Sequence, residues 1–116
     1  MSYYCYFIIS NNRTYIGITN NLLNRLKKHN GIIKGGAKST RVSTNWTYHT
    51  IIGNFKNKAD AMSFEWYWKH QYNEYKMKWI RTTSGINNKM KRLLELMLDD
   101  RWKYLKIIKK IEIIIY

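Results

Sequence analysis

Hydrophobic and polar positions divide the chain into segments of different period. Tyr4-Cys5-Tyr6-Phe7-Ile8-Ile9 is an unbroken aromatic and β-branched run, the pattern of a buried strand. Thr14-Tyr15-Ile16-Gly17-Ile18 reads as a second strand. Between them stand Ser10-Asn11-Asn12-Arg13, and asparagine tolerates the positive φ of a two-residue hairpin turn. That turn predicts a register with Ser10 opposite Arg13, Ile8 opposite Tyr15 and Tyr6 opposite Gly17. Tyr6 and Tyr15 then lie diagonally on one face, with Cys5, Phe7, Ile9, Ile16 and Ile18 on the other. Gly17 leaves open space where a ligand can approach the backbone.

Thr19-Asn20-Asn21 supplies N-cap residues for a helix over 21–30, which Gly31 ends. Its expected core stripe is Leu22, Leu23 and Leu26, with Arg25 and His29 stacked on one flank. Residues 32–45 read as a basic, glycine-containing loop. The amides of Gly35-Gly36 and the hydroxyls of Ser39 and Thr40 suit phosphate contacts there. Residues 46–55 predict a third strand. Asn57 caps a long helix to about residue 75, and Asp60 can complete the cap. Ala61, Phe64, Trp68 and Tyr72 form its inward stripe, and Glu65 lies on the edge. Residues 79–88 are less regular, with a break at Ser84-Gly85. Residues 89–100 predict a helix, apolar at Met90, Leu93, Leu94, Met97 and Leu98. The isoleucines of 105–116 fit a helical spacing as well as a β-branched run, and a strand over the last five or six residues is the expectation.

These elements predict the α+β class: a small antiparallel sheet of about three strands flanked by helices, followed by a C-terminal helix and a short strand. No repeat or second domain interrupts them. The expectation is one domain over 1–116, with a core over about 3–76 and an extension over 77–116.

Charge narrows the function. The chain carries 21 Lys+Arg against 7 Asp+Glu, a formal net charge of +14, which repels itself unless a polyanion is the usual partner. Nucleic acid leads. The competing reading is a basic protein encoded by AT-rich codons, which also favour Lys, Asn, Ile and Tyr. Cys5 is the only cysteine, so the chain can form no internal disulfide, and a cysteine-based zinc site is nearly excluded. Its place in an apolar strand marks it as a small buried hydrophobe. No apolar run reaches membrane-spanning length and no signal-peptide pattern is seen, so an intracellular protein with no membrane partner is expected.

Within residues 1–73 the only acids are Asp60 and Glu65, against ten Lys/Arg. Glu65 sits among large aromatics, where an unpaired charge is costly. It is either a structural partner of Lys69, one turn on, or a metal ligand. One carboxylate plus waters and phosphate oxygens suits Mg²⁺. Phosphodiester hydrolysis needs an activated water, neutralised phosphate charge and a protonated leaving oxygen. Tyr6, Tyr15, Arg25, His29 and Glu65 together supply groups for each.

In order, Tyr15-Ile16-Gly17, Arg25, His29-Asn30-Gly31 and the distant Glu65 resemble the GIY-YIG nuclease superfamily. The first motif is represented by Tyr4-Cys5-Tyr6, which keeps the terminal tyrosine and replaces the glycine and the middle aliphatic. The resemblance extends to one branch, the nuclease subunits of the eukaryotic Slx structure-specific endonuclease. It is carried by Tyr15-Ile16-Gly17-Ile18-Thr19, Arg25-Leu26-Lys27-Lys28-His29-Asn30-Gly31, Gly35-Gly36-Ala37-Lys38-Ser39-Thr40 and Phe64-Glu65-Trp66. A weaker likeness runs over 93–113.

The resemblance implies a DNA endonuclease that uses Mg²⁺ or Mn²⁺ and cuts branched DNA, such as flaps and Holliday junctions, in recombination, repair or replication. It implies Tyr6 as general base with Tyr15 assisting, Arg25 on the scissile phosphate, His29 beside it and Glu65 on the metal. Lys27, Lys28, Lys34, Lys38, Arg41 and Lys69 would hold the DNA backbone, with the Thr40 hydroxyl. Slx subunits also carry a C-terminal Cys/His zinc domain that docks a scaffold. This sequence shows no such cluster, so a scaffold partner is not expected, and two copies would act on a four-way junction. The expected compartment is the nucleus for a cellular eukaryotic protein and the infected cell's cytoplasm for a viral one. Two alternatives stay open: a non-catalytic nucleic-acid-binding module, and a sequence-specific homing or restriction nuclease.

Overall fold

The computed structural model describes residues 2–110. Four strands form one antiparallel sheet in the order β2-β1-β3-β6: β1 (Tyr4–Ser10), β2 (Arg13–Thr19), β3 (Thr47–Gly53) and β6 (Lys106–Lys110). The β1–β2 hairpin has the predicted register, Tyr6 opposite Gly17 and Ile8 opposite Tyr15. Asn11 takes the positive φ of 54° that the tight turn demands.

β1 is an interior strand with both edges paired, and both its faces are also covered. Cys5 and Phe7 join Ile16, Ile52, Phe64, Trp68, Leu93 and Trp102 in the larger core. Tyr6 and Ile8 join Trp46, Tyr48 and Ile51 in a smaller one, against which Tyr15, Leu22 and Leu26 pack. A register shift between Phe7 and Ile8 in the β1–β3 pairing sets Ile51 opposite Tyr6 and Tyr48 opposite Ile8. The bulge thus brings Tyr48 and Ile51 to the same face.

Helix α1 (Leu22–His29) covers the Tyr6 face, and α2 (Lys58–Lys69) and α3 (Ile86–Met97) cover the other. In α1 the buried flank holds Leu22, Leu26 and His29, while Leu23 is exposed, contrary to the expected stripe. Asn21 caps α1 by accepting from Asn24 N at 3.0 Å, and Asn57 caps α2 by accepting from Asp60 N at 2.8 Å. The Asp60 carboxylate accepts from the Tyr104 hydroxyl at 2.6 Å.

The helix expected to reach residue 75 ends at Lys69. His70 turns extended and opens a hairpin, β4 (His70–Asn73) with β5 (Lys78–Arg81). Aromatic contacts across it account for the switch. Tyr72 lies opposite Trp79 with ring centroids 5.7 Å apart, and Trp66 of α2 meets Trp79 at 5.4 Å. Tyr72 is therefore an exposed strand residue and not part of an inward helical stripe. The end of α2 is sealed by Arg92 of α3 and by Thr82, which follows β5. Arg92 Nε donates to the carbonyls of Tyr67 and His70, and Thr82 Oγ1 to that of Trp68.

α3 begins three residues earlier than its apolar pattern implied, capped by Gly85 with φ 108°. Its buried residues are Lys89, Leu93 and Leu96, and Leu94 and Leu98 are exposed. The strand expected over the last five or six residues lies outside the described residues. β6 is a strand at 106–110 that the sequence pattern did not place. Among the described residues no helix is long and apolar enough to cross a membrane.

Candidate active site

The hairpin register sets the Tyr6 ring directly over Gly17. A Cβ at residue 17 would stand 2.5 Å from Tyr6 Oη and 3.0 Å from Tyr15 Cε1. Only glycine lets the two phenol rings lie together on this face, with centroids 6.3 Å apart.

α1 then delivers Arg25 and His29 to the same phenol. Arg25 Nε donates to Tyr6 Oη at 3.0 Å, and Arg25 Nη1 donates to the Gly35 carbonyl at 2.9 Å, tying the basic loop to the site. His29, 2% exposed, sets Nε2 at 2.6 Å from Tyr6 Oη and Nδ1 at 2.9 Å from Thr40 Oγ1. The Thr40 hydroxyl donates to the Ala37 carbonyl at 2.8 Å. Its proton is thereby committed, so it accepts from His29 Nδ1–H. The lone pair of His29 is then on Nε2, where it accepts from the Tyr6 hydroxyl. The chain of donors runs Arg25 to Tyr6 to His29 to Thr40 to the backbone.

Burial first, and the Arg25 charge second, lower the His29 pKa to about 4. Burial raises Tyr6 well above the ordinary phenol value, against the hydrogen bond and charge of Arg25. Burial also works against the Arg25 charge, but the phenol oxygens of Tyr6 and Tyr15 outweigh it and raise its pKa. The site at neutral pH is thus one fixed cation, a neutral imidazole and a neutral buried phenol. Burial raises the Cys5 thiol too, in keeping with a core residue.

A depressed histidine pKa costs stability in acid. The unfolded His29 takes up a proton as pH falls through about 6.5, while the folded one resists until about 4. Folding stability is expected to fall by about 3 kcal/mol between pH 7 and pH 4 from this group alone. Urea unfolding of wild type and His29→Gln at the two pH values checks it: the variant should lose less stability, and equal losses would refute the assignment.

Glu65 lies half-buried on α2, with Oε1 3.2 Å from Lys69 Nζ. Lys69 Nζ in turn lies 5.4 Å from the centre of the Tyr15 ring. The carboxylate is therefore joined to the tyrosine face through Lys69, the structural pairing that was one of its two sequence readings. Among the described residues no group of three His, Cys, Asp or Glu could hold a metal. That donor set fits a hard divalent ion that takes most of its ligands from water and phosphate, and it does not fit a structural zinc. A divalent ion would also compete well with the single charge of Lys69.

The other residues singled out in the sequence divide by position. Lys28, Lys34 and Arg41 line a cleft of about 400 Å³ beside His29, with Gly35 and Gly36. Lys27 is half-buried and Lys38 exposed. Thr40, read from the sequence as a phosphate contact, is 1% exposed and stands behind His29 as its hydrogen-bond acceptor. The sequence reading did not single out Arg81 and Lys89, which line a cleft together with Tyr15 in the folded chain. No local pattern marks them.

The family model of the GIY-YIG catalytic domain matches residues 2–78. The chain belongs to the GIY-YIG family. The match holds Tyr6, Gly17, Arg25, His29, Thr40 and Glu65, all the residues of the network above. The GIY-YIG segment is similar to the structure-specific endonuclease subunit SLX1 homolog of Cryptosporidium parvum, 41% identical over 71 residues, which are 59% of this chain and 17% of that protein. It is similar to structure-specific endonuclease subunit SLX1 of Malassezia globosa, 41% identical over 70 residues, 58% of this chain and 16% of that protein. The slx1 subunit of Schizosaccharomyces pombe is 37% identical over 75 residues, 60% of this chain and 28% of that protein. The chain thus spans between about a sixth and about a quarter of the length of these curated relatives.

Proposed function

We propose that this chain is a divalent-metal-dependent DNA endonuclease that hydrolyses phosphodiester bonds at branched structures such as flaps and Holliday junctions. The observation that carries the reading is the closed donor chain Arg25–Tyr6–His29–Thr40 beside Tyr15, with Glu65 reached through Lys69. Likeness to structure-specific endonuclease subunits supports the substrate class.

The two phenols divide the work by burial. Tyr6 is fully buried and its oxygen already meets Arg25 and His29, whereas Tyr15 is half-buried and lines an open cleft. A general base must reach the proton that it takes. Tyr15 is therefore the phenol placed to meet the attacking water, in place of Tyr6, which the sequence favoured. Tyr6 holds Arg25 and His29 in position through its oxygen. Arg25 keeps a fixed positive charge beside both phenol oxygens, where phosphate charge grows in the transition state. Glu65 would hold the divalent ion, which when bound supplies an acidified water and further neutralisation of phosphate charge.

Two copies would serve a four-way junction, and recombination, repair or replication would be the setting, with the nucleus as the compartment of a cellular eukaryotic form. Phosphate contacts from Lys28, Lys34 and Arg41 carry no direct sequence information, so DNA shape directs cutting. The test compares a flap, a mobile-core junction and a linear duplex of matched sequence with Mg²⁺ or Mn²⁺ at one salt concentration. Cutting should gather at branch points. Equal cutting of the duplex, or cutting that follows one sequence regardless of branching, would favour the homing or restriction alternative, and binding without cutting would favour the non-catalytic module.

A further inference from the structure

A second cleft, of about 260 Å³, opens on the far side of Tyr15, where β2, α2, β5 and α3 meet. Its walls carry Tyr15, Ser39, Lys69, Arg81, Ser84 and Lys89. Three of these six are cations and the other three are hydroxyls, and Thr14 and Ile16 complete the lining. Lys89 is only 8% exposed, and its Nζ reaches the Thr82 carbonyl at 3.5 Å, the outer limit of a hydrogen bond. The ion pairs among the described residues are Lys69–Glu65, Arg92–Glu95 and Lys103–Asp100, so neither Arg81 nor Lys89 enters one. A largely buried ammonium facing two further cations costs free energy, and an anion between them would offset that cost. Burial, then Arg81, then Lys69 lower the Lys89 pKa, in line with that crowding.

We propose that this cleft binds a backbone phosphate of the DNA strand that runs past Tyr15. The ligand class follows from the lining: cations that supply charge, and hydroxyls that donate to phosphate oxygens. Room for about eight waters accommodates one phosphate with part of its hydration. Continuity with Tyr15 makes it a neighbour of the scissile phosphate, so the proposal rests on the nuclease reading above. Arg81, Ser84 and Lys89 all lie beyond residue 78, where the family match ends. The subsite is thus shared between the family domain and the segment that follows it.

Lys89→Met separates function from folding, because methionine keeps an unbranched stem and removes the crowded charge. Without added anion the variant should melt at a higher temperature than wild type. Its affinity for a short thymidine oligonucleotide should fall about tenfold, and the salt dependence should lose about 0.7 from its log–log slope, one phosphate contact to a single strand. Inorganic pyrophosphate should raise the melting temperature of wild type and leave that of the variant unmoved. A lower melting temperature with unchanged affinity would overturn the proposal, as would an unchanged pyrophosphate response. Protection by pyrophosphate with no loss of oligonucleotide affinity would overturn the strand assignment in favour of a site for free phosphate. Should Lys89→Met fail to fold, the exposed Arg81→Gln must show the same losses of oligonucleotide affinity and pyrophosphate response, and wild-type behaviour there refutes the site. None of these readouts needs cleavage, so failure of the nuclease reading would appear separately, as intact binding without cutting.

Discussion

Glu65→Gln is expected to cut branched DNA about 10²–10³-fold more slowly than wild type, with folding and DNA binding preserved. The exchange keeps the shape of the side chain and removes its charge. What it costs the fold is small: the Glu65–Lys69 pair is a partly exposed contact one turn apart on α2, and such pairs contribute only a few tenths of a kcal/mol. What it costs the chemistry is expected to be large, because on the proposed reading Glu65 is the carboxylate that would hold the divalent ion. An amide is a poor ligand for a hard cation, and Lys69 would be left as an unopposed charge. The check is single-turnover cleavage of a flap substrate at saturating protein with Mg²⁺, beside binding of the same DNA without metal. Binding should be equal to or slightly tighter than wild type, since one negative charge is gone. Comparable cleavage rates would remove Glu65 from the site and leave it as the structural partner of Lys69.

The second large effect divides the two phenols. Tyr15→Phe is expected to lower the cleavage rate by about 10²–10⁴-fold, the range of a lost general base. Tyr6→Phe should lower it less, by about tenfold to a hundredfold, through misplacement of Arg25 and His29. Losing the Tyr6 oxygen takes a hydrogen-bond partner from Arg25 Nε and from His29 Nε2 in a buried setting. Tyr6→Phe should therefore also lower stability by about 1–3 kcal/mol, and Tyr15→Phe, on the cleft wall, should not. The pH profile separates them further. Freed from its phenol, His29 changes its proton affinity, so the inflection that His29 sets should move in Tyr6→Phe, whereas Tyr15→Phe should keep that inflection and lose the one set by the base itself. If Tyr6→Phe abolishes cutting and Tyr15→Phe is mild, the buried phenol is the base and the site must open when DNA binds.

How much of this was legible beforehand differs by element, for physical reasons. The β1–β2 hairpin was readable residue by residue, because an asparagine turn and a period of two leave one register open. The Tyr6–Gly17 contact, the shared face of Tyr6 and Tyr15, and the opposite face of Cys5, Phe7 and Ile16 all follow from it. The caps at Asn21 and Asn57 are equally local, since a side-chain oxygen there meets an amide three residues on. The set Tyr6, Tyr15, Arg25, His29 and Glu65 was also visible as a motif order, and the family match spans it.

Tertiary packing decided the rest. α2 could have run on past Lys69 by propensity and pattern, but the contacts of Trp66, His70, Tyr72 and Trp79 with one another turn the chain into a hairpin. Leu23 fits an apolar stripe, yet the flank of α1 that faces the sheet carries Arg25 and His29, because the Tyr6 oxygen offers them partners. Thr40 looked like a surface hydroxyl, and folding of the basic loop places it behind His29, where it sets the tautomer. Tyr6 and Tyr15 lie at different depths in the folded chain, and the two tyrosines read alike in one dimension. Arg81 and Lys89 share a cleft with Tyr15 only in the folded chain. Sequence determined the hairpin, the caps and the chemical inventory, since each depends on neighbours within a few residues. Burial, tautomer and the second cationic cleft depend on contacts between distant segments, and only the folded chain brings those segments together.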